Sequence, residues 1–85
     1  MERTERFYKI DRLLRDSRSV SLERFLEELS VSKATFKRDI EYMRDRLNAP
    51  ISWDRTLRGY IFDQEIDDAP SYELPGIWFN QSEIL

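Results

Sequence analysis

The sequence contains neither cysteine nor histidine, and it has only two glycines and three prolines among 85 residues. The missing side chains exclude disulfides, thiolate nucleophiles, imidazole bases and the common zinc ligands. No apolar run approaches the roughly 18 residues that span a bilayer, and the N-terminus is charged, unlike a signal sequence. We therefore expect a soluble cytoplasmic protein that has no metal, no cofactor and no contact with a membrane, and that is not an enzyme.

Charge is divided unequally along the chain. Residues 1–62 contain all 14 Lys and Arg against 11 Asp and Glu, a net charge of +3. Residues 63–85 contain six acids and no base, a net charge of −6. A chain of this length has room for one small core. We therefore predict one basic domain, residues 1–62, and an acidic linker, residues 63–85, that connects it to a domain missing from this chain.

Apolar spacing predicts three helices. The first covers residues 2–15, the second covers about Leu22–Leu29 with Ser21 as its N-cap, and the third begins after an N-cap at Ser32 and ends before Pro50. The predicted inner faces are Phe7, Ile10 and Leu14 in the first helix, Phe25, Leu26 and Leu29 in the second, and Phe36, Ile40, Met43 and Leu47 in the third. Each helix is thus amphipathic and needs a shared core.

After the third helix the apolar period changes to that of strands. Residues 51–54 and 60–63 are strand-like, and Gly59 lies in the loop between them, where a tight hairpin tends to need glycine. We expect Trp53 in the core under this hairpin and a one-residue edge pairing at Val20. The element order predicts a mainly α fold with a small β-hairpin, the winged helix-turn-helix, with three helices and a wing.

The third helix and the hairpin tip carry the candidate contacts to double-stranded DNA. By chemistry, Ser32 suits a phosphate, Lys33, Ala34, Thr35 and Lys37 suit base edges, Arg38, Tyr42 and Arg46 suit the groove wall, and Arg55 and Arg58 suit the adjacent minor groove or its phosphates. Residues near the start of a recognition helix are the ones that reach base edges. The pattern therefore favours sequence-specific binding with the third helix in the major groove.

Other interpretations remain open. A basic face opposite an apolar stripe is typical of any solvated helix, and the third helix and wing could instead bind another protein. The ring of Tyr42 could cover the hairpin. We expect Asp39 to hold a nearby basic side chain, because a carboxylate facing phosphates would oppose DNA binding. The acidic pairs Glu27-Glu28 and Asp67-Asp68 give an enzyme little support, since no pocket would hold them.

The stretch VSKATFKRDIEYMRDRLNAPISWDRTLRGYIF, residues 31–62, resembles the DeoR-type winged helix at the N-terminus of WYL-domain transcriptional regulators. That family has the pattern V-S-x-x-T-hydrophobic-x-R-D-I, then APIxYD and a GGYxL-like return strand. The segment YELPGIWFNQSEIL, residues 72–85, resembles the connection into the WYL region. The resemblance supports Ser32, Lys33, Thr35, Lys37 and Arg38 as DNA-facing. Trp53, where tyrosine is usual, and Leu57-Arg58-Gly59, in place of a glycine-rich turn, depart from the pattern.

The resemblance implies a bacterial regulator that binds an inverted-repeat operator as a homodimer, located in the cytoplasm and on the nucleoid when bound. It also implies a C-terminal effector domain whose ligand is unknown. Asn80 and Glu83 form a capping-box pattern one turn before the chain stops, so we expect the natural protein to continue. The apolar residues 74–79 would be either a docking site for the partner subunit or the missing domain, or a disordered end.

Overall fold

The computed structural model describes residues 1–63, which form three α-helices followed by a two-stranded hairpin. The elements are α1 (Arg3–Asp16), α2 (Leu22–Leu29), α3 (Lys33–Arg46), β1 (Ile51–Asp54) and β2 (Gly59–Phe62). This arrangement confirms the prediction of a mainly α, winged helix-turn-helix fold. The predictions for the acidic linker, for residues 74–79 and for a helix start at Asn80 fall on residues 64–85, outside the described residues.

Two serine caps set the starts of α2 and α3. The Ser21 hydroxyl accepts a hydrogen bond from the Arg24 amide at 3.1 Å, and the Ser32 hydroxyl accepts one from the Thr35 amide at 3.2 Å. Each such cap stabilises a helix by about 1 kcal/mol. Ser30, with φ of 53°, ends α2 in the left-handed region. Only three residues therefore connect α2 to α3, which fixes the angle between them.

The core lies where the three helices meet the hairpin. Its buried apolar residues are Phe7, Ile10, Leu14, Val20, Phe25, Leu29, Phe36, Ile40, Met43, Ala49 and Ile51. The rings of Phe25 and Phe36 stack at 4.8 Å and join α2 to α3. These contacts hold α2 and α3 together, and Val31 in the turn between them is a half-buried side chain packed against the same cluster.

The hairpin is attached to the helical part through Val20. Its antiparallel register pairs Trp53 with Tyr60. On the other edge of β2, the amide of Val20 donates to the Tyr60 carbonyl at 2.9 Å, and the amide of Tyr60 donates to the Val20 carbonyl at 2.8 Å. The predicted one-residue pairing at Val20 is thus confirmed. It makes β2 the central strand of a small sheet and fixes the base of the hairpin relative to α1 and α2.

The glycine near the hairpin turn has a different purpose from the one predicted. Gly59 does not take a positive φ; Arg58 does, with φ of 52°. The turn is also held by the Asp54 carboxylate, which accepts from the Leu57 amide at 2.8 Å. A Cβ on Gly59 would lie 3.0 Å from the Val20 carbonyl oxygen, so glycine is required by close backbone approach.

The prediction that Trp53 is core is wrong. The residue is 47% exposed. The Tyr60 ring occupies the space between the hairpin and the helices, at 5.9 Å from the Phe25 ring and 5.4 Å from the Phe36 ring. Trp53 lies beyond Tyr60 and contacts its outer side, with ring centroids 5.0 Å apart. The space next to the helices is thus filled by Tyr60, and about half of the indole surface stays exposed.

Candidate nucleic-acid interface

Helix α3 divides into a buried side and an exposed side. Phe36, Ile40 and Met43 are at most 2% exposed, and Leu47 after the helix end is half-buried against them. This confirms the predicted inner stripe. The helix presents the rest of its surface to solvent, apart from Asp39, Thr35 and Tyr42.

Asp39 is the one buried acid of α3, and Arg6 of α1 neutralises it. The Arg6 Nε donates to Asp39 Oδ2 at 2.6 Å and its Nη2 donates to Oδ1 at 3.2 Å, a bidentate pair. The hydrogen bond from Arg6 to Asp39, aided by their charge attraction and opposed by desolvation, raises the pKa of Arg6 above its ordinary value. The prediction that Asp39 holds a basic side chain is confirmed, and the pair locks α1 against α3.

The ten predicted contact residues are accessible to different degrees. Eight are exposed, namely Ser32, Lys33, Ala34, Lys37, Arg38, Arg46, Arg55 and Arg58. Thr35 and Tyr42 are half-buried. Eight of the ten lie on α3 or at its N-cap, whereas Arg55 and Arg58 lie in the turn at the hairpin tip. The structure thus arranges them as one helical surface and one separate tip.

The hydroxyl groups at the start of α3 are occupied with each other. Ser32 Oγ accepts from the Thr35 amide and donates to Thr35 Oγ1 at 3.1 Å. Both side chains therefore help to begin the helix, whatever else they contact. Exposed Ala34 lies between them and adds no bulk, so another molecule can approach the first turn of α3 closely.

Tyr42 covers α1 and not the hairpin, so the alternative that its ring covers the hairpin is wrong. Its ring stacks on Phe7 at 5.4 Å, and the Arg3 guanidinium lies 4.0 Å from the centre of the Tyr42 ring. A shallow cleft surrounds this stack, lined by Arg3, Arg38, Glu41, Tyr42, Asp45 and Arg46. Arg3 was missed in the sequence, because only the packing of α1 on α3 brings it beside Tyr42.

Arg44 is a second basic residue that the prediction left out. It is exposed, and it follows Lys37 by seven residues, or almost two helical turns. Lys37 and Arg44 therefore lie on the same side of α3. The 3.6-residue period of the helix was the signal that identifies it from the sequence.

Among residues 1–63, no base of α3 or the hairpin is in an ion pair, whereas four of the five bases of α1 are. Within residues 1–63, all four ion pairs use a base of α1: Arg6 with Asp39, Lys9 with Glu28, Arg12 with Asp16, and Arg15 with Asp11. Seven bases on α3 and the hairpin have no ion-pair partner within the described part of the chain, namely Lys33, Lys37, Arg38, Arg44, Arg46, Arg55 and Arg58. These side chains are available for an anionic partner.

The excess positive charge of the domain also lies in the segment that contains α3 and the hairpin. Residues 1–30 contain seven bases and seven acids, while residues 31–62 contain seven bases and four acids, so the net +3 belongs to the second segment. One of those four acids, Asp39, is already neutralised by Arg6 of α1. The field around α3 and the hairpin is therefore more positive than the composition of the whole chain indicates.

Metal and membrane chemistry find no site in the part of the chain that is described. Among residues 1–63 there is no group of three acidic side chains placed to hold a metal ion. In the same stretch, no helix combines the length and the apolar character needed to cross a bilayer. The surface of α3 and the hairpin tip is thus the main candidate site in residues 1–63.

Comparison with known families agrees with this architecture. The DeoR-like helix-turn-helix domain matches residues 6–49, from the fourth residue of α1 to two residues before β1. No curated protein and no solved structure matches the chain. Because the matched region covers slightly more than half of the 85 residues and the helices fall where such a domain requires them, the chain belongs to the DeoR-like helix-turn-helix family, a family of DNA-binding domains of transcription regulators.

Proposed function

We propose that this domain binds operator DNA sequence-specifically, with α3 in the major groove and the hairpin, as a wing, on the adjacent minor groove or its phosphates. The observation that carries the proposal is the set of seven unpaired bases on α3 and the hairpin, beside an α1 whose bases are mostly in ion pairs. Free guanidinium and ammonium groups bind phosphates without first breaking an internal contact.

Within that arrangement, different parts of α3 take different roles. Lys33, Ala34, Thr35 and Lys37 lie in its first two turns, where side chains reach base edges, and Ala34 or the Thr35 methyl suits a thymine methyl. Later in the helix, Arg38 and Arg46 flank Tyr42 and suit phosphates on the groove wall. Arg3, held over the Tyr42 ring, adds a third guanidinium to that group.

The wider biology follows from the same proposal. A helix-turn-helix domain of this size contacts one half-site, so we propose that the full-length protein acts as a homodimer on an inverted repeat. The resemblance to WYL-domain regulators supports a ligand-sensing domain in the full-length protein, and in this proposal the acidic residues 63–85 are the linker to it. Such a regulator acts in the cytoplasm, where the operator is.

Binding of the 85-residue chain to its own upstream region is expected to depend steeply on salt. With about five to seven phosphate contacts, the plot of log affinity against log salt should have a slope of roughly −4 to −6. A gel-shift series measures this, and a specific fragment should stay bound at about 150 mM salt. Binding that does not change with salt, or no preference for any fragment, contradicts the proposal.

Replacing Arg58 with glycine is expected to weaken DNA binding without weakening the fold. Arg58 has φ of 52°, a region where side chains with a Cβ are strained by about 1 kcal/mol and glycine is not. The variant should therefore unfold at the same or a higher urea concentration than the wild type. Its affinity should fall about fivefold, with a salt slope smaller by about one, because one phosphate contact is lost.

Arg58→Lys is the matched control for this measurement. It keeps the charge and the strained backbone, so its affinity should remain within about twofold of the wild type. If Arg58→Gly binds as tightly as Arg58→Lys, the hairpin tip makes no ionic contact and the wing is not part of the interface.

A protein partner is the second candidate. It is favoured by Glu41 and Asp45, two exposed acids on the outer side of α3 that line the same cleft as Arg38 and Arg46. A mixed-charge surface suits another protein better than a polyanion. The Glu41→Gln variant distinguishes DNA binding from protein binding. It should leave DNA affinity unchanged or raise it. It should weaken binding to a protein partner whose basic side chain pairs with the Glu41 carboxylate.

A further inference from the structure

Trp53 is a large apolar side chain on a surface where such a side chain is unfavourable. It is 47% exposed, and Leu57 in the adjoining turn is 36% exposed. Tryptophan commonly occupies sites where its flat apolar face meets a partner while its indole N–H finds an acceptor. No acceptor for that N–H lies within hydrogen-bond distance among residues 1–63.

The indole is held in one place. Trp53 is paired in register with Tyr60, and the two rings meet edge to face at 5.0 Å and 74°. The Tyr60 ring rests on Phe36 of α3, and the Tyr60 backbone is bonded to Val20 on its other edge. A side chain held this way loses little entropy when it contacts a partner, so the contact is stronger than that of a mobile one.

Trp53 is linked to both parts of the proposed interface through its neighbours. It shares a face of the hairpin with buried Ile51, two residues earlier, so it is on the side facing the helices. Only Tyr60 separates it from Phe36, which lies between Lys33 and Lys37 in α3. Arg55, two residues later, begins the basic hairpin tip. Bases without an ion pair among residues 1–63 are thus close in sequence to both Phe36 and Trp53.

We propose that Trp53 is a non-ionic DNA contact, in which its indole face packs on a deoxyribose and its Nε1–H donates to a phosphate oxygen. In this proposal α3 lies in the major groove, and the wing lies on the adjacent minor groove or its phosphates. Trp53 contacts the sugar-phosphate backbone that separates these two grooves. This inference rests on the proposed function. It assigns to the wing an apolar contact in addition to the two arginines at its tip.

Three variants of the 85-residue chain test the assignment by salt titration. Trp53→Ala should weaken binding about tenfold with an unchanged salt slope, because no charge is removed. Trp53→Phe should lose less DNA affinity than Trp53→Ala, because phenylalanine keeps an apolar ring and lacks only the indole N–H. Ile61→Ala is the matched control: Ile61 is paired with Ser52 on the opposite face of the hairpin and should bind as the wild type.

The outcomes distinguish this inference from the proposal beneath it. If Trp53→Ala binds within twofold of the wild type while Arg58→Gly is weakened, DNA binding stands and the Trp53 contact is overturned. A changed slope in Trp53→Ala also overturns it, since the effect would then be ionic. If the wild-type chain binds no duplex, the proposed function fails first.

Indole fluorescence gives an independent readout. In a Trp78→Phe variant, Trp53 is the single tryptophan of the chain, because the sequence has only two. Its emission should be that of a partly exposed indole in the free protein and should be quenched, to saturation, as duplex is added. Emission unchanged while DNA binds overturns the contact. Emission of a buried indole before DNA is added also overturns it, since residues 64–85 would then already cover the ring.

Discussion

Replacing Arg6 with alanine is expected to lower the free energy of unfolding by about 3 kcal/mol. Asp39, its partner, is 3% exposed, and both of its carboxylate oxygens accept from Arg6. Without the guanidinium, a charged carboxylate remains inside the fold with nothing to neutralise it. Urea denaturation followed by circular dichroism measures the loss. Domains of this size have total stabilities near 5 kcal/mol, so much of the fold's stability depends on this contact.

Arg12→Ala is the matched control on the same helix. Arg12 faces Asp16 at 3.9 Å, and both side chains are more than 60% exposed. An exposed pair of this kind contributes about 0.5 kcal/mol or less. Arg6→Lys should fall between the two, because lysine keeps the charge but cannot make the bidentate contact. Equal losses for Arg6→Ala and Arg12→Ala would show that the burial of Asp39 has no energetic importance.

The contribution of Arg6 should not change with pH near neutrality. Its pKa is raised in the folded protein by the hydrogen bond and charge of Asp39. A raised pKa on a base gives stability that is complete below the ordinary arginine value and is lost only as pH rises through the folded pKa. The difference between wild type and Arg6→Ala should therefore be constant from about pH 7 to 10.

Replacing Arg38 or Lys37 with alanine is expected to weaken DNA binding in two different ways. In the proposed arrangement Arg38 contacts phosphate, so Arg38→Ala should weaken binding to every sequence alike and reduce the salt slope by about one. In the same proposal Lys37 contacts base edges, so Lys37→Ala should cost about 1–3 kcal/mol on the operator and little on unrelated DNA. Binding to the operator and to a scrambled duplex, each at several salt concentrations, measures both effects.

Two further variants complete this comparison. Thr35→Ala should also change the preference between sequences, but its hydroxyl accepts from Ser32, so its unfolding must be measured in parallel. Arg12→Ala removes a base from α1, away from the proposed interface, and should leave both affinities unchanged. A uniform loss in the Arg38, Lys37 and Thr35 variants would show that no residue among them reads bases.

Much of the fold was predictable because local signals and the apolar period agreed. Helix α2 has the predicted bounds, since Ser21 caps its start and the next cap, Ser32, leaves only three residues for the turn. The buried stripe of α3 was predictable for the same reason. The pairing of Asp39 with a base followed from electrostatics alone, although the sequence did not identify which base.

The candidate site was predictable only in part. Exposure of the basic residues on α3 follows from the opposite apolar stripe. The stack of Arg3 on Tyr42, however, joins two helices that are far apart in sequence. Similarly, Arg58 and not Gly59 takes the left-handed position, because Gly59 is needed where β2 touches the Val20 backbone. The Arg3–Tyr42 stack and the left-handed conformation of Arg58 cannot be predicted from neighbouring residues in the sequence, because both depend on which elements pack against each other.

The sequence by itself determined the order of helices, the caps, the inward stripe and the charge of the second half of the domain. These properties depend on residues within one or two helical turns of each other, and local physics is the same in any fold. The tertiary structure alone decided which bases are in ion pairs and which are free, and it left Trp53 exposed. Those outcomes depend on the docking of α1 on α3 and on the packing of the Tyr60 ring between the hairpin and the helices, and contacts of that kind arise only when separate elements pack together.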